Sequence, residues 1–262
     1  MTCRGRIRWL LAAVLALGVP FAPIVVSAEE PVRVAVASNF VAALRDVVHA
    51  FNQVNSSPIS LSAASTGKLF AQIKNGAPFD VFFAADSARP AALEAQGYAV
   101  AGSRFTYAGG ALTLWSADRE LDGQACEAAL VEDQRGKIAI ANPRTAPYGS
   151  AAEQVLRQLG VLESAQKRIV VGENVQQALQ FAASGNARFA LVSTAQLRGE
   201  LLTTTGCRWP VPADLHDPVA QQAVLLKRGT RNSSAAALLA FVRSDAGRAI
   251  IAGHGYLLAD QN

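Results

Sequence analysis

The feature that most constrains this chain is a rhythm. Short runs rich in β-branched and aromatic residues alternate with stretches whose apolar residues recur at helical spacing. Val32-Arg33-Val34-Ala35-Val36-Ala37 reads as a strand, and Phe40, Ala43, Leu44, Val47 and Phe51 then fall three or four apart, on one face of a helix. Residues 59–63 form a second predicted strand, and 68–74 a short helix with Leu69 and Ile73 on one face. Val81-Phe82-Phe83-Ala84-Ala85 reads as a buried strand, followed by a helix over 90–96. Residues 105–115 form a longer extended run broken by Gly109-Gly110.

The alternation returns in the second half, with strands at 137–141, 168–171 and 189–192. Between them lie a helix through Ala151, Val155, Leu156 and Leu159, closed by Gly160, and another through Val175, Ala178, Leu179 and Ala182. A strand at 221–226 and helices over 235–243 and 245–251 finish the chain. This order predicts an α/β fold of mostly parallel sheets flanked by helices. The 262 residues suffice for two small domains with cores of their own. No change of composition marks a linker and no repeat is visible, which suits two similar lobes joined by two crossover segments. The expected division is a discontinuous first lobe, 29–108 with 217–262, and a second lobe, 109–216. The crossovers are expected near 106–109 and 216–219.

The amino terminus speaks to location. Arg4, Arg6 and Arg8 precede an apolar stretch over residues 9–26, and Val26-Ser27-Ala28 stands before Glu29-Glu30. That order is a secretory signal peptide over 1–28, with cleavage expected after Ala28. Pro20 and Pro23 interrupt the run and argue against an uncleaved anchor. The formal charge of +4 belongs mostly to this leader, since no acid precedes Glu29 and the rest of the chain has one more basic than acidic side chain. A partner such as nucleic acid, which needs a clustered basic face, is therefore not expected. Export places Cys126 and Cys207 in an oxidising compartment as a single pair, read as one structural disulfide; their spacing does not say whether they meet. No metal site is expected, because His49, His216 and His254 have no ligand spacing with either cysteine.

Four strand-to-helix junctions share one character: Ser38-Asn39, Ser65-Thr66-Gly67, Ala146-Pro147-Tyr148-Gly149-Ser150 and Glu173-Asn174-Val175. The first N–H groups of a helix have no partner within it and carry the positive end of its dipole. Several such ends, at the carboxyl edges of an open α/β sheet, form a site for an anion. Ser, Thr and Asn are also ordinary helix caps, so each junction alone is compatible with a purely structural role. Apart from Lys68, expected to point outward, no Lys or Arg lies in these junctions. Hydroxyls and amides without a cation suit a fully ionised anion held by many neutral donors. Asp80 and Asp86 are expected to be structural or to face a transporter, since a carboxylate beside a dianion would repel it.

The same residues carry a resemblance. Ser38-Asn39-Phe40, Ser65-Thr66-Gly67-Lys68-Leu69, the run from Gln72 through Gly76-Ala77-Pro78-Phe79-Asp80 to Phe83, Ala85-Asp86, Asn142-Pro143, Ala146-Pro147-Tyr148-Gly149 and Asn174-Val175 resemble the periplasmic molybdate-binding proteins of ABC transporters. The likeness extends over essentially all of 31–262. It implies a class II periplasmic binding protein fold that holds molybdate or tungstate between its lobes. It further implies a monomer that delivers the ion to a transmembrane permease, with no cofactor and with molybdenum bound as its oxyanion rather than as a bare cation. Position by position, the expected ligand residues are Ser38, Asn39, Ser65, Thr66, Tyr148 and, through its backbone N–H, Val175. Other members of the family use a tyrosine where this chain has Ser193, and the Tyr148 hydroxyl is expected to replace it. The alternatives are a receptor for another tetrahedral oxyanion such as sulfate and, more remotely, a secreted hydrolase. Catalysis is not expected: the chain has no G-x-S-x-G elbow, no H-E-x-x-H and no P-loop.

Overall fold

The computed structural model describes residues 30–198 and 206–258; the expected leader and its cleavage point lie outside the described residues. The first half runs β1 (Val32–Ala37), α1 (Val41–Phe51), β2 (Ile59–Ala64), α2 (Thr66–Lys74), β3 (Val81–Ala84), α3 (Ala88–Ala95) and β4 (Phe105–Gly110). Then follow β5 (Leu112–Ser116), α4 (Cys126–Glu132), β6 (Ile138–Ala141), α5 (Pro147–Gln158), α6 (Leu162–Ala165), β7 (Ile169–Gly172), α7 (Val175–Ala183) and β8 (Phe189–Ser193). The chain ends with β9 (Cys207–Pro210), β10 (Val219–Leu225), α8 (Ser233–Arg243) and α9 (Asp245–Gly253).

The strands form two five-stranded sheets of matching plan, ordered β2-β1-β3-β10-β4 and β7-β6-β8-β5-β9. In each, three strands run parallel and the fourth and fifth positions are antiparallel to their neighbours. This is the two-sheet architecture of a class II periplasmic binding protein, and the α/β expectation holds. The central strands β3, β6 and β8 are buried along their whole length, which is why they read as continuous apolar runs. Edge strand β2 alternates Ile59, Leu61 and their polar neighbours between half-buried and exposed positions. Helix α1 buries Ala43, Leu44, Val47 and Phe51, the stripe expected from their spacing.

The predicted long run over 105–115 is two strands in different sheets, and the chain changes sheets at Ala111. The return is made between β9 and β10. Gly110 lies where this crossing needs room: a Cβ there would sit 2.3 Å from the Tyr148 hydroxyl and 3.0 Å from Val219. Elements too short to show a period, α4, α6 and β9, are absent from the sequence reading.

Cys126, the first residue of α4, and Cys207, the first of β9, form a disulfide with their Cα atoms 5.2 Å apart. It closes a loop across 81 positions. Cys207 pairs in register with Ser116, at the end of β5 remote from Leu112 and Ser193, so the bridge ties down the far edge of the second sheet. The double variant Cys126→Ser/Cys207→Ser should unfold at lower denaturant, with stability reduced by about 2–4 kcal/mol. Its affinity for the ligand should stay within about twofold of the parent in a calorimetric titration, because the bridge lies at the other end of the sheet.

Candidate anion-binding site

The carboxyl ends of β1, β2, β6 and β7 all lead, as expected, to the line where the two halves meet. There the apolar core of the second half takes in Ala37, Ala85 and Val219 from the first, packed around Tyr148. The halves are in contact. The Gly67 N–H donates to the Thr145 carbonyl at 2.8 Å, and Arg89 Nη2 reaches the Arg144 carbonyl at 3.4 Å. A Cβ on Gly67 would lie 2.9 Å from that Thr145 oxygen and 3.0 Å from its Cα, so this approach needs glycine. A cleft of about 660 Å³ opens on one side of the contact, with Ser38, Asn39 and Arg45 on one wall and Asn174, Gln177 and Arg198 on the other.

The junction residues separate into caps and unengaged donors. Asn174 is a cap: its Oδ1 accepts from the Gln177 N–H at 3.1 Å. Val175, next along, is the first residue of α7, so its N–H lacks an intrahelical acceptor. Ser65 occupies the cap position of α2 but does not cap it. It is 2% exposed, and its hydroxyl has no hydrogen-bond partner among the described residues. Burying a hydroxyl in that state costs about 1–3 kcal/mol, which a bound acceptor would return. Thr66, 1% exposed, accepts at Oγ1 from the Ala85 N–H at 3.0 Å, so its proton is left for another acceptor. Ser38 follows β1, where its own N–H donates to the Ala64 carbonyl at 3.0 Å, and its side chain lines the cleft wall.

Tyr148 enters from the start of α5, behind Pro147 at the first helical position. Its oxygen accepts from Ser193 Oγ at 3.0 Å and from Gln221 Nε2 at 3.4 Å. Asn39 is placed differently from a donor side chain. Both its Nδ2 protons are engaged, on Gln221 Oε1 at 2.7 Å and on Tyr256 Oη at 3.2 Å, so its side-chain amide is committed within the protein. Tyr107 joins the same buried group, bonding the Ala84 carbonyl at 3.1 Å and Gln221 at 3.2 Å.

The acids near this surface are held by pairing, while Arg45 and Arg198 stand on the walls of the cleft. Asp80 is buried, accepts from the Arg33 N–H at 2.8 Å and pairs with Arg228, while Asp86 pairs with Arg89. Both are structural. Lys68 does not simply point outward: it pairs across the cleft with Glu173. Among the described residues no group of acids, histidines and cysteines is placed to hold a metal ion, and no helix is long and apolar enough to cross a membrane. The sequence reading of the site did not include Tyr107, Tyr256, Gln221, Thr145 or the Ser193 contact. Gln221 and the Ser193 contact are products of tertiary packing, and Thr145 is a second buried hydroxyl without a partner among the described residues, one position before Ala146-Pro147.

Two α/β halves of one strand order, meeting along the carboxyl ends of their strands, have the plan of a solute-binding protein. Residues 32–257 match the profile of the bacterial extracellular solute-binding proteins. The molybdate-binding protein ModA of Azotobacter vinelandii is 42% identical over 93% of this chain and 96% of its own length; that of Rhodobacter capsulatus is 38% identical over 94% of each. The solved periplasmic molybdate-binding protein of A. vinelandii superposes with a TM-score of 0.81 at 38% identity, covering 87% of this chain and all of that one. The chain belongs to the molybdate-binding branch of this solute-binding family, and it is a binding protein, not an enzyme.

Burial raises the pKa of the Tyr107, Tyr148 and Tyr256 hydroxyls above the ordinary tyrosine value. They therefore remain proton donors in the folded state where tyrosines of the unfolded chain ionise, from about pH 10. A raised folded-state pKa gives stability that is complete below the unfolded value and is lost as pH rises beyond it. The melting temperature should be level between pH 7 and 9.5 and fall above about pH 10; Tyr107→Phe should make that fall shallower.

Proposed function

We propose that this protein captures molybdate, and tungstate with it, in the cleft between its lobes outside the inner membrane and delivers the ion to an ABC transporter permease. In this reading residues 1–28 are a signal peptide removed after Ala28, and the mature chain is a periplasmic monomer. The lobes are those expected, 29–108 with 217–262 and 109–216, with their first boundary moved to Ala111, where the chain changes sheets. The ligand shell consists of the Ser38, Ser65, Thr66 and Tyr148 hydroxyls with the backbone N–H groups of Asn39 and Val175. The observation that carries the reading is the Ser65 hydroxyl, buried at a helix start and neither capping nor bonded. The names of relatives 42% and 38% identical point to the same ligand.

Molybdate is a tetrahedral dianion without a proton near neutral pH, so each of its oxygens acts as an acceptor. Donors from both lobes satisfy it, and closing the lobes excludes water and strengthens every bond to the charge. Sulfate has the same shape and charge but is smaller, so discrimination against it falls to cavity size. Phosphate carries a proton near neutrality, and a shell without a carboxylate or carbonyl leaves only a hydroxyl lone pair to receive it.

Calorimetric titration with molybdate, tungstate, sulfate and phosphate tests the assignment. Molybdate and tungstate should bind far more tightly than the other two; sulfate binding in preference to molybdate would reverse it. Ser65→Ala and Tyr148→Phe should each weaken molybdate binding by roughly 10- to 100-fold, the range expected for a lost hydrogen bond to a charged group. Gly67→Ala should also weaken it at least tenfold while leaving the melting temperature of the ligand-free protein nearly unchanged. Scattering in the presence of molybdate should then show a wider particle than the parent, because the added methyl holds the lobes apart.

A further inference from the structure

Gln221 lies on β10, fully buried, where the pairing with β4 shifts register between Gln221 and Gln222. Such bulges re-aim side chains, and the two glutamines go separate ways. Gln222 bonds Arg104 and Thr106 at the surface, whereas Gln221 turns into the polar group beneath the ligand site.

The bonds of that group have a fixed direction that can be traced from one backbone carbonyl. Tyr256 Oη donates to the Asn39 carbonyl at 2.7 Å, so its oxygen is left to accept, and it accepts from Asn39 Nδ2 at 3.2 Å. This sets the orientation of the Asn39 amide, whose other N–H goes to Gln221 Oε1 at 2.7 Å. Tyr107 Oη approaches the same oxygen at 3.2 Å. With its carbonyl end so occupied, Gln221 turns its Nε2 to the Tyr148 oxygen, which also accepts from Ser193 Oγ. A phenol oxygen has one proton to give, and both donors already occupy its accepting side. The Tyr148 proton is what remains.

We propose that Gln221 and Ser193 are positioning residues that make Tyr148 a donor and never an acceptor toward the ligand, and so help restrict the site to oxyanions without a proton. The inference rests on the molybdate reading above and deepens its selectivity against phosphate, by naming the residues that withhold the Tyr148 lone pair from a protonated ligand. Size separates molybdate from sulfate. Bond direction separates sulfate from hydrogenphosphate, two ions of nearly equal size that differ by one proton. With either donor removed, the Tyr148 hydroxyl is free to rotate and to present a lone pair to a protonated ligand.

The test measures dissociation constants for molybdate, sulfate and hydrogenphosphate at pH 7.5, the weaker ions by displacement of molybdate, in the wild type, Gln221→Met, Ser193→Ala, Tyr148→Phe and the doubles Gln221→Met/Tyr148→Phe and Ser193→Ala/Tyr148→Phe. In Gln221→Met and Ser193→Ala, molybdate binding should weaken about tenfold and the preference for sulfate over hydrogenphosphate should shrink at least tenfold. In the Tyr148→Phe background neither substitution should move that preference by more than twofold. A uniform loss for all three ions, or a change in preference that persists without the Tyr148 hydroxyl, overturns the proposal. If Gln221→Met fails to fold, Ser193→Ala, which deletes a single hydroxyl, carries the same comparison. A wild type that takes up no molybdate defeats the functional reading itself. A wild type that binds it, with variants whose sulfate preference is unchanged, defeats only the positioning role.

Discussion

The structure is organised around hydroxyls that are buried before they are satisfied. Ser65 is almost wholly enclosed at a helix start, yet neither caps that helix nor meets another polar atom among the described residues. In a folded core such a group is a standing cost, and cores normally eliminate it. Here neighbouring features protect the arrangement. Gly67 allows the Thr145 backbone to approach, Gly110 leaves space for the Tyr148 ring, and Asp80 and Asp86 are neutralised by arginines on their own side of the cleft. The fold keeps donors available and its nearby acids occupied, a combination suited to a ligand that brings its own negative charge.

Both halves contribute through the same device, a strand that ends in a small or polar residue and a helix that begins at once. The sheets repeat one strand order, and the junction after β2 meets that after β6 while the junction after β1 shares the cleft with that after β7. The differences between them matter more than the likeness. In the second half Asn174 caps its helix and leaves the backbone of Val175 for other use. In the first half Ser65 leaves the cap unmade and its hydroxyl free of protein partners. A common scaffold thus leaves a side-chain hydroxyl open at one helix start and a main-chain N–H open at another.

Much of the fold was legible because apolar runs and helical stripes are local. Val81-Phe82-Phe83-Ala84 and the Phe40-to-Phe51 stripe appear in the structure as a buried strand and an amphipathic helix. The change of sheet at Ala111 was not, since a continuous extended run gives no sign that its two ends pair with different partners. The junctions were legible as junctions, but sequence could not separate the cap Asn174 from the unbonded Ser65, because both are ordinary cap residues. Asn39 shows the limit most clearly. Its neighbours in the chain suggest a ligand side chain, while its amide is engaged by Gln221 and Tyr256, residues 182 and 217 positions away. Lys68 likewise found Glu173 only through the closeness of the two halves.

Strands β4 and β10 are hydrogen-bonded neighbours, and each carries the chain to or from the other sheet. The connections between the halves are unequal: a single residue, Ala111, on the way out and residues 211–218 on the way back. The outward crossing leaves almost no slack, so any change in the angle between the halves must turn about the stretch from Gly110 to Leu112, with the longer return following it. Little orientational freedom then remains to be surrendered if a ligand draws the halves together.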